Sequence, residues 1–158
     1  MNHYIVLRDR RLRGGVRAAP RTGIINTDEQ TPLSIAFQRI NALARHSRGK
    51  IHSLFIMCHG FAGSNELRQV SMDAGGMGLQ LGADCVLHRN VALWTAIRDK
   101  IENIVVYSCA AANTERGNEA TSADGKYLMG ALAIHTNANV YAADRIQWYR
   151  TFQGLDNG

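Results

Sequence analysis

The sequence has 158 residues, of which 46% are hydrophobic and 20% are charged, and its formal net charge is +5. This composition is close to the globular average and excludes a disordered or collagen-like chain, while the length fits one domain with a substantial core. No apolar run approaches the roughly 18 to 20 residues that a membrane-spanning helix needs. We therefore expect a single domain over residues 1–158 and no membrane partner.

The first residues and the cysteines favour a cytoplasmic location. The chain starts with a short apolar run and then turns basic, which is the reverse of the order in a secretory signal peptide. Cys58, Cys85 and Cys109 are an odd and sparse set, which argues against a disulfide scaffold. We therefore expect free thiols, one of which is a candidate catalytic group. Export without a signal peptide is left open.

In chain order, apolar runs of strand length alternate with stretches of helical periodicity. Fully apolar runs predict strands covered on both faces, and Thr31 followed by Pro32 is typical of an N-cap and first helical position. Six arginines interrupted by glycine and proline predict a flexible basic loop. The predicted elements are strands at 4–7, 23–26, 51–58, 79–81, 104–107 and 139–143, helices at 32–47, 89–100 and 126–135, and loops at 8–23, 60–82 and 113–124.

This alternation predicts an α/β fold, a three-layer sandwich in which helices cover both faces of a mainly parallel sheet. Functional groups collect at the carboxyl ends of the strands in such sheets. The strand at 51–58 leads into His59 and Gly60, and the strand at 104–107 leads into Ser108 and Cys109. A thiol and an imidazole are therefore expected at one edge of the sheet, and cysteine nucleophiles need such a pair.

These two strand ends resemble those of caspase-like cysteine peptidases. Residues 55–60, Phe-Ile-Met-Cys-His-Gly, look like the His-Gly strand end of that family, and residues 104–109, Ile-Val-Val-Tyr-Ser-Cys, resemble its second catalytic strand. Caspases place the histidine about 50 residues before the cysteine, and the same spacing separates His59 from Cys109. The resemblance extends over roughly residues 51–143 and is similar to the compact bacterial domains of the family.

The resemblance implies a cysteine hydrolase that acts on a peptide, a protein or another acyl substrate. Cys109 would be the nucleophile, His59 the general acid and base, and the backbone N–H groups of Gly60 and Cys109 the oxyanion hole. We expect no metal and no other cofactor. Ser108 and Asp144 are candidate substrate-binding residues. Asp144 would favour a substrate with a basic side chain, and the alternative for Asp144 is an ordinary surface role.

Two departures from the family pattern limit what can be transferred. The caspase run Gln-Ala-Cys-Arg-Gly is absent, and the acidic residue that metacaspases place two positions before the cysteine is Tyr107 here. The specificity pocket of the family therefore does not carry over, and the sequence predicts neither the cleavage preference nor the oligomeric state.

A non-catalytic interaction module on the same fold is the alternative function. Its contact surface would be the basic stretch 8–21 or the region around Trp148. Nucleic acid is not expected as a partner, because no aromatic residues are interleaved with the arginines and no zinc-finger or helix-turn-helix spacing follows. Residues 153–158 are expected to form a flexible tail.

A zinc-binding site is an alternative to the catalytic role for the same cysteines and histidines. Cysteine and histidine are the ligands that zinc prefers, and the ligands of such a site would come from Cys58, His59, Cys85, His88 and Cys109. The spacing is unlike that of structural zinc sites, which show two close ligand pairs. Cys58 and His59 are adjacent, so on a strand their side chains point to opposite faces and only one of them reaches a shared site.

Overall fold

The computed structural model describes residues 3–16, 19–20, 22–47, 49–61, 76–108, 111–112, 114 and 124–144. These residues form a five-stranded sheet, a two-stranded hairpin, two α-helices and one 3₁₀ helix. The strands are β1 (Tyr4–Asp9), β2 (Thr22–Thr27), β3 (Ile51–Met57), β4 (His59–Phe61), β5 (Gly78–Gln80), β6 (Ile101–Tyr107) and β7 (Asn139–Ala142). The helices are α1 (Leu33–His46), the 3₁₀ helix (Val91–Ile97) and α2 (Gly125–Thr136).

All neighbouring strands of the larger sheet are parallel. The strand order is β2-β1-β3-β6-β7, and β4 pairs with β5 as a separate antiparallel hairpin. β1, β3, β6 and β7 therefore end at the same side of the sheet, which we call the carboxyl edge. In β3 and β6 the partner of Ile51 is Ile101 and the partner of Met57 is Tyr107, so the two strands stay in register to their ends.

The described helices cover one face of this sheet. α1 contacts the 3₁₀ helix, which in turn contacts α2, and all three share one core cluster with alternate residues of the strands. The connections that carry them step across the sheet in the same direction, so right-handed crossovers place them on the same side. The α/β class and the parallel sheet flanked by helices are thus confirmed, whereas the described residues supply a helical layer to one face only.

The stretch predicted as a helix at 89–100 is a shorter 3₁₀ helix, and β6 begins at Ile101 instead of 104. Its buried residues, Val91, Trp94 and Ile97, recur every third position, which is the period of a 3₁₀ helix. The turn after it needs a left-handed residue, and Asp99 supplies one with φ of 63°. Ile101, the residue after the predicted helix, starts the strand.

The start of α1 also differs from the prediction. The N-cap is Pro32 rather than Thr31, and no side chain of the cap position bonds to the helix. Asp84, which is distant in sequence, caps the start of α1 instead, because its carboxylate accepts the Leu33 N–H at 2.7 Å. The Thr31 hydroxyl donates instead to the Asp28 carboxylate at 2.7 Å. The other predicted helices and strands agree with the observed elements to within two residues at each end.

The basic loop predicted at 8–23 is shorter than expected, because β1 extends to Asp9 and β2 begins at Thr22. Arg11 is held against the sheet: its Nε and Nη2 each donate to the fully buried Asp9 carboxylate at 2.7 Å. The same carboxylate accepts the Gly82 N–H at 2.8 Å, and Arg11 Nη2 donates to the Gly82 carbonyl at 2.8 Å. This Asp9–Arg11–Gly82 cluster fastens the start of the loop to the carboxyl edge.

Gly82 is required in that cluster. Its φ is +64°, and a Cβ at this position would lie 2.7 Å from the Thr31 carbonyl oxygen. Any other residue would therefore push the backbone away from both α1 and Asp9.

Among the described residues, no helix has the length and the apolar character needed to cross a membrane. The tail predicted at 153–158 lies outside the described residues.

Removing the charge of Asp9 is expected to destabilise the fold. Asp9→Asn leaves the Arg11 guanidinium, only 25% exposed, without its counter-charge, and we expect a loss of about 3 kcal/mol in the free energy of unfolding at pH 7. Burial raises the pKa of the Asp9 carboxyl, but hydrogen bonds from Arg11 and Gly82 outweigh burial and hold this pKa below 3.8. Urea denaturation measures the loss.

The effect has a defined pH dependence. Because the folded pKa lies below the unfolded value of about 3.9, the ionised carboxylate stabilises the protein fully above that value. This contribution is lost as the pH falls through the folded pKa, so the gap between parent and Asp9→Asn should shrink below about pH 4. Glu102→Gln, which removes an exposed carboxylate from β6, is the matched control. Equal urea midpoints for parent and Asp9→Asn at pH 7 would contradict the assignment.

Candidate active site

His59 stands where the chain leaves the large sheet. It follows Cys58 directly and is the first residue of β4, with a half-buried side chain. The Cys58 N–H donates to the Tyr107 carbonyl at 3.3 Å, so the contact between the two chain segments continues one residue beyond the last paired residues of β3 and β6. The imidazole is therefore carried by the backbone that lies next to the end of β6.

The predicted nucleophile, Cys109, lies outside the described residues, and so does the distance from its sulfur to the His59 ring. Ser108, its neighbour in sequence, is described and lies one residue beyond the end of β6. Ser108 therefore lies at the carboxyl edge, one position before Cys109 in the sequence. The pairing of His59 with Cys109 stays a prediction that the arrangement of β3 and β6 supports.

Gly60 has a backbone N–H that points away from the hairpin partner of β4. Its partner in β5 is Leu79, and both the N–H and the carbonyl of Leu79 are bonded to Val86, at 2.9 Å each. Successive residues of a strand direct their backbone groups to opposite sides, so Leu79 faces away from β4 and makes no ladder bonds to Gly60. The Gly60 N–H is thus directed away from β5, as an oxyanion donor requires.

The two candidate substrate-binding residues occupy different environments. Ser108 is fully buried next to the Cys58 thiol, an environment that favours a supporting role behind the strand end over contact with substrate. Asp144 is exposed, two residues after β7, the strand next to β6. The Ala112 N–H donates to the Ala143 carbonyl at 3.0 Å, so the chain after β6 passes the end of β7. Asp144 thus lies at the same edge as His59.

Cys58 and Cys85 are both buried and poorly suited to act as nucleophiles. Each side chain is 1% exposed, and burial raises the pKa of both thiols above the ordinary value of 9.0. The neutral thiol is a weak nucleophile, so neither cysteine carries an activated thiolate in this fold. Cys58 belongs to the main core, and Cys85 packs with Phe61 and Leu87 in a smaller cluster.

The side chains proposed for a zinc site do not assemble in the described part of the chain. There, no group of three histidine, cysteine, aspartate or glutamate side chains is placed to hold a metal ion. Cys85 is sealed among apolar residues, while the His88 ring stacks on Tyr127 at 5.6 Å between ring centroids. Cys109, a further candidate ligand, lies outside the described residues.

A cavity of about 470 Å³ lies at the other edge of the sheet, where the strands begin. Its walls come from the starts of β1, β2 and β3 and from the end of α1, and they include Tyr4, Leu43 and His46. It is therefore separated from His59 by the length of β3, and the candidate active site does not use it.

Comparisons with protein-family models, with curated proteins and with solved structures found no match for this chain. Any functional conclusion therefore depends on the residues at the carboxyl edge.

Asp9 lies at this edge, and the sequence analysis did not identify it as a residue of the site. The sequence does contain a signal, because Asp9 is the one acidic residue among the six arginines and comes two residues after a predicted strand.

The burial of Cys58 and Cys85 predicts that both resist alkylation in the folded protein. At pH 8 we expect iodoacetamide to modify them at least about 100-fold more slowly in the native state than in urea, because burial blocks access and suppresses the thiolate. Peptide mass spectrometry assigns each adduct to its cysteine, and the urea-denatured chain is the control. Rapid native labelling at Cys58 would contradict the packing of β3 against the helices.

Proposed function

We propose that the protein is a caspase-like cysteine hydrolase that cleaves peptide bonds through a His59–Cys109 dyad. The observation that carries this proposal is the parallel register of β3 and β6. It brings the His59–Gly60 segment and the chain leading to position 109 to one edge of the sheet. The finer fold assignment, a caspase-like three-layer sandwich, belongs to the same proposal and is supported by the five-stranded parallel sheet with helices against it.

The proposed reaction proceeds through an acyl-enzyme. The Cys109 thiolate attacks the carbonyl carbon of the scissile peptide bond, and the N–H groups of Gly60 and Cys109 bind the oxyanion that forms. Protonated His59 then donates its proton to the leaving nitrogen, the C–N bond breaks, and the amine product departs. Neutral His59 next takes a proton from water, and the resulting hydroxide releases the acid and regenerates the thiolate.

Elimination among the three cysteines supports Cys109 as the nucleophile. Cys58 and Cys85 are buried, and burial keeps both thiols protonated. The Gly60 backbone supports the oxyanion hole, because its N–H points away from β5 and glycine has no side chain to block a substrate. The alternative, a non-catalytic interaction module, would keep this backbone arrangement and lack turnover.

The catalytic proposal is tested with variants of the two dyad residues. We expect Cys109→Ala to reduce hydrolysis of a peptide library to background and His59→Ala to lower kcat/KM by about 10²–10⁴-fold, because the proton transfers are lost. His46→Asn, at an exposed histidine of α1, is the matched control and should leave activity unchanged. Full activity of Cys109→Ala would refute the dyad. Absence of turnover in a folded parent across the library would instead favour the interaction module.

Asp144 leads us to propose a preference for substrates with a basic side chain near the scissile bond. Its carboxylate is exposed at the end of β7, beside the strand that leads to Cys109. Loss of one ion pair to substrate corresponds to about 1 kcal/mol, so Asp144→Asn should lower kcat/KM for peptides with arginine or lysine by about fivefold. Neutral peptides and the Glu102→Gln variant are the controls. An equal effect on neutral and basic peptides would assign Asp144 an ordinary surface role.

A further inference from the structure

The cavity at the starts of the strands has the size of a ligand-binding pocket. Its volume of about 470 Å³ falls in the range of about 300–1,000 Å³ that is typical of small-molecule sites. An engineered cavity of about 150 Å³ in another protein holds benzene, so this one has room for two fused rings and a head group. We call it the amino-edge cavity, because β1, β2 and β3 begin there beside the end of α1.

The inner walls of the amino-edge cavity are apolar. They include Ile5 of β1 and Ile51 of β3, which are 1% and 0% exposed, and the half-buried Leu43 of α1. Ile5 and Ile51 belong to the main core and Leu43 packs against it, so the packing of the sheet also holds these walls in place. Walls of this kind favour a ligand with an apolar body, because the complex removes apolar surface from water.

Gly23 forms part of the same wall and keeps it flat. It lies inside β2, where glycine weakens a strand, and its φ is not positive, so the backbone conformation does not require a glycine. A Cβ at this position would lie 2.9 Å from Leu43 Cδ1. Glycine therefore leaves the space that Leu43 and the cavity share, and strand glycines often mark a close approach of a ligand or of another chain segment.

The mouth of the cavity is polar and lies at the end of α1. The Ser47 hydroxyl donates to the Leu43 carbonyl at 2.8 Å, so its oxygen remains free to accept a hydrogen bond from a ligand. The end of a helix carries a partial negative charge, which disfavours an anion, and none of the described residues that line the cavity is acidic, so a cation finds no counter-charge. The polar lining residues are His3, Thr22, His46 and Ser47.

We propose that the amino-edge cavity binds a small uncharged molecule with an apolar body of one or two rings and a hydroxyl group. The apolar body lies against Ile5, Leu43 and Ile51, and the hydroxyl donates to Ser47 Oγ. This site is independent of the proposed hydrolysis, because the cavity and His59 lie at opposite edges of the sheet.

Titration of the full-length, ¹⁵N-labelled protein with 2-naphthol tests the proposal by NMR. We expect saturable shifts of the amide signals of Gly23, Ser47 and Ile51, an unchanged Gly60 signal, and a dissociation constant of about 0.1 mM. Two further probes test the head group. Quinoline has two rings and no hydrogen-bond donor, and 2-naphthoate is an anion, so both should bind about fivefold more weakly.

Three variants separate the cavity from the rest of the surface. Leu43→Trp places a larger side chain in the wall and should weaken 2-naphthol binding at least about tenfold, because the ring takes up the volume that the ligand needs. Leu93→Trp, the same substitution at a residue that is 50% exposed on the 3₁₀ helix, is the matched control and should bind 2-naphthol like the parent. Ser47→Ala should reduce the affinity for 2-naphthol to that for quinoline.

The parent titration decides the matter even where a variant fails to fold. No saturable shift at Gly23, Ser47 and Ile51 up to about 2 mM 2-naphthol, or saturable shifts confined to other residues, overturns the proposed site. Unchanged affinity in a folded Leu43→Trp variant does so as well. Equal affinities of the parent for 2-naphthol and quinoline overturn the assignment of a hydroxyl head group.

Discussion

The parallel hydrogen-bonded register between β3 and β6 is the constraint on which the rest of the site depends. The paired residues from Ile51 with Ile101 to Met57 with Tyr107 keep the same offset, so the two strands end together. The Cys58 N–H extends this contact by one more bond to Tyr107. A slip of one residue would turn the apolar side chains of β6 away from the helices. Core burial thus enforces the alignment that brings His59 and Ser108, the residue before Cys109, to the same edge.

A second constraint comes from residues 78–90, which tie distant elements to the carboxyl edge. Gly82 bonds to the buried Asp9 at the end of β1, and Asp84 accepts the first free N–H of α1. Leu79 bonds to Val86 and so turns its backbone groups away from Gly60. Asn90 closes the segment by accepting the Leu87 N–H at 2.8 Å. The segment therefore orients β1, α1 and the backbone of the proposed oxyanion hole at once.

The charge distribution around this edge follows from the same contacts. Arg11 is committed to Asp9 and to Gly82, so part of the positive charge of the basic stretch serves the fold rather than a partner. Asp144 is exposed two residues after β7 and lies at the same edge of the sheet as His59. The two faces of the sheet also differ, because the helices bury one row of strand side chains and leave Ile24 and Tyr141 of the opposite row accessible.

The sequence by itself determined the strands of the large sheet, apart from the start of β6, together with the two α-helices and the strand ends that lead into His59 and Ser108. Apolar runs such as 51–58 and 104–107 are typical of buried strands in a small domain, and the helical periodicity of 32–47 places its apolar residues on one face of a helix. The spacing of Val91, Trp94 and Ile97 misled because a spacing of three suits both an α-helix and a 3₁₀ helix.

The tertiary structure alone decided which groups serve the site and which serve the fold. Capping of α1 by Asp84, the burial of Asp9 with Arg11 and the direction of the Gly60 N–H each join residues far apart in the chain. No local pattern encodes such contacts, because they depend on how the strands are ordered and on which crossover face each helix occupies. The order β2-β1-β3-β6-β7 fixes the neighbours of each strand and the face on which each helix packs. It therefore also fixes the edge at which His59 lies beside the end of β6.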